Sequence, residues 1–287
     1  MRAFLPRYEL RTPKNLPEVL ELLAETDSDY RPFAGGTDIM VQLEQGRLTH
    51  SHWVDVLGCD DLRGIAGDPR FITIGAATSY SEIQAHPVLR EDFPMLVEAA
   101  NVTGAIAIQN RGTLGGNIAN ASPAADSAPA LLAYDAQLEL LSAQGFRRVA
   151  LSHFYLGYKQ TLLKKGEIIS RILLPRPTYG KKSKTHWMFR KVGTRQAQAI
   201  TKVGIAAWMQ YDRKKILQAR IAMASVAPIP KRLSEVENTL VHQPFSESTM
   251  AAALFRDISP IDDIRSTESY RRRVTSNLIR DFLSRSA

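Results

Sequence analysis

The chain has 287 residues, 44% of them apolar, and a formal net charge of +8, which suits one large or two modest packed domains and excludes a disordered chain. No apolar run approaches the ~20 residues of a membrane span, and the opening Met1-Arg2-Ala3-Phe4-Leu5-Pro6 lacks a signal-peptide core, so a cytoplasmic location is expected. Cys59 is the only cysteine, which excludes an intrachain disulfide, a thiolate zinc site or an iron–sulfur cluster built from this chain alone.

In chain order, residues 15–25 predict a helix with Leu16, Val19, Leu20 and Leu23 on one face and Pro17 and Glu18 in its first turn. Residues 30–34 predict a short strand delivering a glycine segment, Phe33-Ala34-Gly35-Gly36-Thr37-Asp38-Ile39, after which apolar structure resumes. Strand composition marks 53–57 and 71–76, and Ser79-Tyr80-Ser81-Glu82 has the form of a capping box. Another helix is expected to open at Asp92-Phe93-Pro94-Met95 and run through Ala100. A second glycine segment then reads as one long loop, Gly112-Thr113-Leu114-Gly115-Gly116-Asn117-Ile118-Ala119-Asn120-Ala121-Ser122-Pro123-Ala124-Ala125-Asp126. Asp126 is placed to cap a helix over 127–134, and strands follow at 137–141, 146–150 and 168–174.

Prolines, glycine and charge cluster near 176–184, which sets an expected division into a domain over 1–176 and a smaller one over 177–287. The latter predicts strands at 185–191, 204–211 and 216–226, then helices at 231–242, 247–257 and 267–285. The basic runs Lys181-Lys182-Ser183-Lys184, Arg213-Lys214-Lys215 and Arg271-Arg272-Arg273 are short and read as solvated faces, so no nucleic-acid partner is expected. His50-Ser51-His52 has no third ligand pattern beside it, and no metal site is expected in this chain.

The two glycine segments carry the functional signal. Glycine lets a ligand approach the main chain, so consecutive N–H groups converge on phosphate oxygens while Thr or Asn adds donors. A lone Gly-Gly is a tight turn, but two such segments in one domain suit a pyrophosphate. Neither is a G-x-G-x-x-G opening a helix, and Gly180-Lys181-Lys182-Ser183 lacks the upstream glycine of a P-loop.

Ala34-Gly35-Gly36-Thr37-Asp38 and Thr113-Leu114-Gly115-Gly116-Asn117-Ile118-Ala119-Asn120-Ala121-Ser122-Pro123, followed by Asp126, resemble the FAD-binding medium subunits of molybdenum hydroxylases, over nearly the whole chain. The resemblance implies an α+β chain: a two-lobed FAD-binding domain of the vanillyl-alcohol-oxidase (PCMH) type, then a smaller α+β domain of the CO dehydrogenase flavoprotein type closing over the flavin. It assigns the pyrophosphate to Ala34, Gly35, Gly36, Thr37 and Asp38 together with Thr113, Gly115, Gly116 and Asn117, and places Ile39 against the isoalloxazine. Pro32, Phe33, Gly104, Leu114 and Asn120 complete the expected cofactor shell. Asp126 is expected to accept a hydrogen bond from the flavin pyrimidine ring, either beside or instead of its capping role. Ile169 is expected near the flavin or adenosine, and Lys191 either approaches the cofactor or is a solvated strand lysine. The sequence departs from the family where Gln109 stands ahead of Asn110, with Arg111 after it.

No acid–base constellation for an organic substrate is evident, and none is needed if electrons reach FAD from a neighbouring cluster. The implied partners are a molybdenum-cofactor large subunit and a small subunit with 2Fe-2S clusters, forming a heterotrimer, with NAD+ or another acceptor oxidising the flavin. The Ala34 to Asp38 version of the first segment favours xanthine dehydrogenase relatives. The alternatives are a free-standing flavin oxidoreductase of the same superfamily and a non-catalytic nucleotide-binding module.

Overall fold

The computed structural model describes residues 7–25, 29–177, 184–195, 198–213, 215–242 and 246–285. Its first lobe is built on a small parallel sheet in which β1 (Glu9–Arg11) and β2 (Arg31–Phe33) flank β3 (His52–Asp55). Between the first two strands runs α1 (Leu16–Ala24), whose N-cap Asn15 accepts from the Glu18 N–H at 3.0 Å. Val19 and Leu23 of this helix meet Val54, Val56 and Leu62 in the lobe's core, as the apolar spacing requires. The first glycine segment leaves β2 and enters α2 (Ile39–Glu44).

The second lobe has an antiparallel sheet in the order β4 (Ile65–Gly67), β5 (Phe71–Gly75), β10 (Ile168–Pro175), β6 (Gln137–Ser142) and β7 (Gly145–Ala150). Alternate residues of its inner strands, Ile72 and Ile74, Leu138 and Leu140, Ile172 and Leu174, enter one core, the period-two signature of a sheet with one buried face. Helices supply the other side of that core: α3 (Tyr80–Ala85), α4 (Pro87–Asp92), α5 (Pro94–Asn101), α7 (Leu114–Ala119) and α8 (Ser127–Ala133), while α6 (Ile106–Arg111) lies outside it with Gln109 as its buried residue. Ser79 and Glu82 form the expected capping box at α3. A short hairpin, β8 (Tyr155–Gly157) with β9 (Gln160–Thr161), precedes β10.

The expected boundary segment, residues 178–183 with Lys181 and Lys182, lies outside the described residues. Beyond it an antiparallel sheet runs β11 (Lys184–Val192), β12 (Val203–Asp212), β13 (Lys215–Ala224) and β14 (Lys231–Arg232). The sheet is buried on both faces. Val203, Ile205, Ala207 and Met209 point into a core shared with α9 (Ser234–His242), α10 (Glu247–Asp257) and α11 (Glu268–Ser284). Ala206 and Ala222 belong instead to the core of the second lobe, with Phe189 and Trp208 packed against it. The same two-residue alternation therefore cements the C-terminal sheet to α8.

Three expectations need correction. The second glycine segment is not one long loop: Thr113 caps α7 through its Oγ1, which accepts the Gly116 N–H at 3.1 Å. Residues 231–242 are not all helical, because Lys231 and Arg232 pair with Met223 and Ala222 before α9 begins at Ser234. Arg271 is not on a solvated face: it is 4% exposed, and its Nη1 donates to the Ser225 carbonyl at 2.8 Å.

Candidate functional site

The two glycine segments abut. A Cβ on Gly35 would stand 1.9 Å from the Arg111 carbonyl oxygen, so only glycine lets the first segment lie on the end of α6. Arg111 Nε in turn donates to the Gly35 carbonyl at 3.3 Å. Gly36 has φ +71°, a left-handed conformation that glycine adopts without strain, and the Phe33 ring fills the space beneath it. Phe33 is itself fixed by an edge contact with Trp53, and Pro32 precedes it in β2.

This turn leaves donors without acceptors. Among the described residues the N–H groups of Gly35, Gly36, Thr37, Asp38 and Ile39 donate to no protein acceptor, although Gly35 is buried. A run of five unpaired main-chain donors, the first of them on a buried residue, suits an anion. Across from it a Cβ on Gly116 would stand 3.8 Å from the Ala34 Cβ, in the gap between the two segments. Asn117 Oδ1 accepts from Ser127 Oγ at 2.7 Å, which fixes the amide and leaves its Nδ2 as a donor. Gly104, with φ +61°, turns the chain between α5 and α6.

Two residues of the second segment serve as scaffold. Leu114 is wholly buried, and its N–H donates to the Thr78 carbonyl at 3.0 Å; Gly115 donates to Ala76 at 2.8 Å, and a Cβ there would meet Ala76 Cβ at 2.5 Å. Ile169, in β10, is 6% exposed and lies in the core of the second lobe. Asn120 accepts from Lys159 Nζ at 2.5 Å.

Asp126 differs from its expected cap. Its backbone is already helical and its side chain makes no cap bond. Instead Lys191 Nζ donates to Oδ2 at 2.7 Å and Thr201 Oγ1 to Oδ1 at 2.5 Å. Lys191 is not a solvated strand lysine either, since its side chain is 9% exposed and it also donates to the Val102 carbonyl at 3.0 Å. Burial pushes the Asp126 pKa above the ordinary carboxylate value, against the opposing pull of Lys191 and Thr201. Gln109 has a purely internal role: it accepts from Gln84 Nε2 and donates to the Asn101 carbonyl.

Thr201 and Lys159 join the site without having been foreseen. Thr201 carries no local signal, because it reaches Asp126 from 75 residues away. Lys159 sits at the β8–β9 turn with φ +57°; burial lowers its pKa, while the charge of Asp38 attracts it. Its turn is legible only as a turn. Among the described residues no group of three or more His, Cys, Asp or Glu could hold a metal ion, and no helix is long and apolar enough to cross a membrane.

A run of unpaired donors in the first glycine segment, packed against the second, together with a buried carboxylate–lysine pair joining the two domains, suits a dinucleotide. Residues 6–177 match the family described as the FAD binding domain in molybdopterin dehydrogenase, and residues 188–286 match the CO dehydrogenase flavoprotein C-terminal domain. The chain belongs to this family of molybdenum hydroxylase flavoproteins, FAD-binding subunits of oxidoreductases. It is 28% identical over 282 residues to the carbon monoxide dehydrogenase medium chain of Hydrogenophaga pseudoflava, covering 97% of this chain and 96% of that one. Against the xanthine dehydrogenase FAD-binding subunit of Escherichia coli O157:H7 it is 29% identical over 273 residues, covering 94% and 92%. The solved carbon monoxide dehydrogenase from Hydrogenophaga pseudoflava superposes with a TM-score of 0.90 at 27% identity, covering 98% of this chain and 97% of that one.

Proposed function

We propose that the five free N–H groups of Gly35 to Ile39, with the Asn117 amide and the Thr113 hydroxyl of the second segment, hold the FAD pyrophosphate. The residues fit the group on this structure's own terms, because a consecutive row of unpaired main-chain donors, with Gly35 buried, suits an anionic acceptor. Asp126 accepts from the flavin pyrimidine edge, Lys191 pairs with that carboxylate against the upward push of burial and brings positive charge to the same edge, and Ile39 covers a ring face. Pro32, Phe33, Gly104, Leu114, Gly115, Asn120 and Ile169 support the cradle rather than supplying its donors. Bound FAD supplies the exchange between one-electron and two-electron redox chemistry.

The chain then serves as the flavoprotein member of a complex with a molybdenum-cofactor large subunit and a 2Fe-2S small subunit, NAD+ being the electron acceptor. The form of the first segment, Ala34 to Asp38, supports a xanthine dehydrogenase-like complex.

The test is a visible spectrum of the purified full chain, with the released cofactor identified. Flavin bands from stoichiometric FAD are the expected result; no flavin after reconstitution with FAD overturns the reading. Anaerobic NADH should bleach those bands, and unbleached FAD would replace NAD+ with another acceptor.

A further inference from the structure

Thr201 lies in the connection from β11 to β12 with 2% of its surface exposed. Its hydroxyl takes one oxygen of Asp126 and Lys191 takes the other, so both bonds that fix this carboxylate come from the C-terminal sheet and its connections. A carboxylate has about four lone-pair sites, and each oxygen keeps the capacity for a further donor.

Thr201 is held in turn. Ser225 Oγ donates to its carbonyl at 2.9 Å, and the Ser225 N–H donates to the Pro123 carbonyl at 2.8 Å. Ser225 has φ +64°, a strained conformation for a non-glycine residue, stabilised by these bonds and by Arg271 on its carbonyl. The short path Pro123, Ser225, Thr201, Asp126 thus returns to within three residues of its start. It ties the carboxylate's orientation to the seating of one domain on the other.

We propose that Thr201 is a positioning residue for the flavin, orienting the Asp126 carboxylate toward the pyrimidine edge while touching no cofactor atom itself. The inference rests on Asp126 being a flavin contact. A hydroxyl donated to a carboxylate favours its ionised form, so removing it raises the Asp126 pKa further and misorients one oxygen. The other groups facing Asp126 are Lys191 and the Tyr80 hydroxyl; burial raises the Tyr80 pKa, so it stays neutral over the range in question.

The experiment is fluorescence titration of the FAD-stripped full chain with FAD, from about pH 5 to about pH 8. Thr201→Val should weaken FAD binding by about tenfold, the size of one hydrogen bond to a charged group, and Thr201→Ser should restore it to within about twofold. The acid limb of the affinity profile should move to higher pH in Thr201→Val. Should that variant fail to fold, Thr201→Ala carries the same expectation. Affinity within about twofold of the parent with an unmoved acid limb overturns the proposal. So does an affinity loss that merely tracks the apoprotein's thermal midpoint, with no change in pH profile and no rescue by serine. Asp126→Ala, which leaves no acceptor, separates the two levels: wild-type affinity there removes the flavin contact at Asp126, whereas weak binding there with a silent Thr201→Val removes only the role of Thr201.

Discussion

Gly115 and Gly116 are neighbours whose missing side chains matter for unlike reasons. A Cβ on Gly115 would meet Ala76 Cβ at 2.5 Å and the Ala76 carbonyl at 2.8 Å, inside a core that cannot give way. Gly115→Ala should therefore cost about 1–3 kcal/mol in urea unfolding, as overpacked cores do. A Cβ on Gly116 meets only Thr113 Oγ1, at 2.8 Å, and otherwise projects toward Ala34. Gly116→Val should lose the Thr113 cap, about 0.5–2 kcal/mol, and fail to retain FAD while remaining folded. Normal flavin occupancy in folded Gly116→Val protein would refute the cradle. The glycine pair was legible as a ligand signal, but its division into scaffold and cradle was not. That division depends on Ala76 and Ala34, which are remote in sequence.

At the scale of elements, α8 is the piece both domains grip. All seven of its residues are buried, and its C-terminal carbonyls are satisfied from the other domain: Trp208 Nε1 donates to Ala133 at 2.8 Å and Arg232 Nη1 to Leu132 at 3.3 Å. Trp208→Phe keeps the ring packing and removes one donor, so it should cost about 1–3 kcal/mol, the penalty of an unsatisfied buried carbonyl. A shift in urea midpoint with unchanged slope would show it. The long strands and helices, and the Ser79 capping box, were legible because alternation and cap chemistry are local. α6 and α7 were not, since six residues give too little helical periodicity and α7 holds two glycines. Asp126 misled in the opposite sense: its type and place promise a cap, yet Lys191 and Thr201, 65 and 75 residues onward, outcompete the helix for its side chain.

For the molecule as a whole, the junction between α8 and the C-terminal sheet is partly ionic. Arg232 bridges Asp135 at 2.5 Å and Glu237 at 2.6 Å, and Glu237 is 7% exposed while also accepting the Ile221 N–H at 2.6 Å. Arg232→Met should destabilise the chain by about 3–5 kcal/mol, because Glu237 would keep a buried charge without its partner. Adding Glu237→Gln, which removes the charge and keeps an acceptor for the Ile221 N–H, should recover most of that loss. No recovery in the double variant would assign the loss to lost packing of Arg232 on α8 instead.

The bonds of Asp126 to Lys191 and Thr201 also set a timetable. A ribosome adding about 5–20 residues per second needs roughly 4–15 s to pass from the carboxylate to its farther partner. Throughout that interval the emerging N-terminal half presents its row of open amides and a carboxylate without either partner. The carboxylate is fixed only once β11 and the connection after it have been made. On the proposed reading, a chain truncated before Lys191 carries the phosphate cradle without the pair that orients the ring, and should retain FAD less tightly than the full chain.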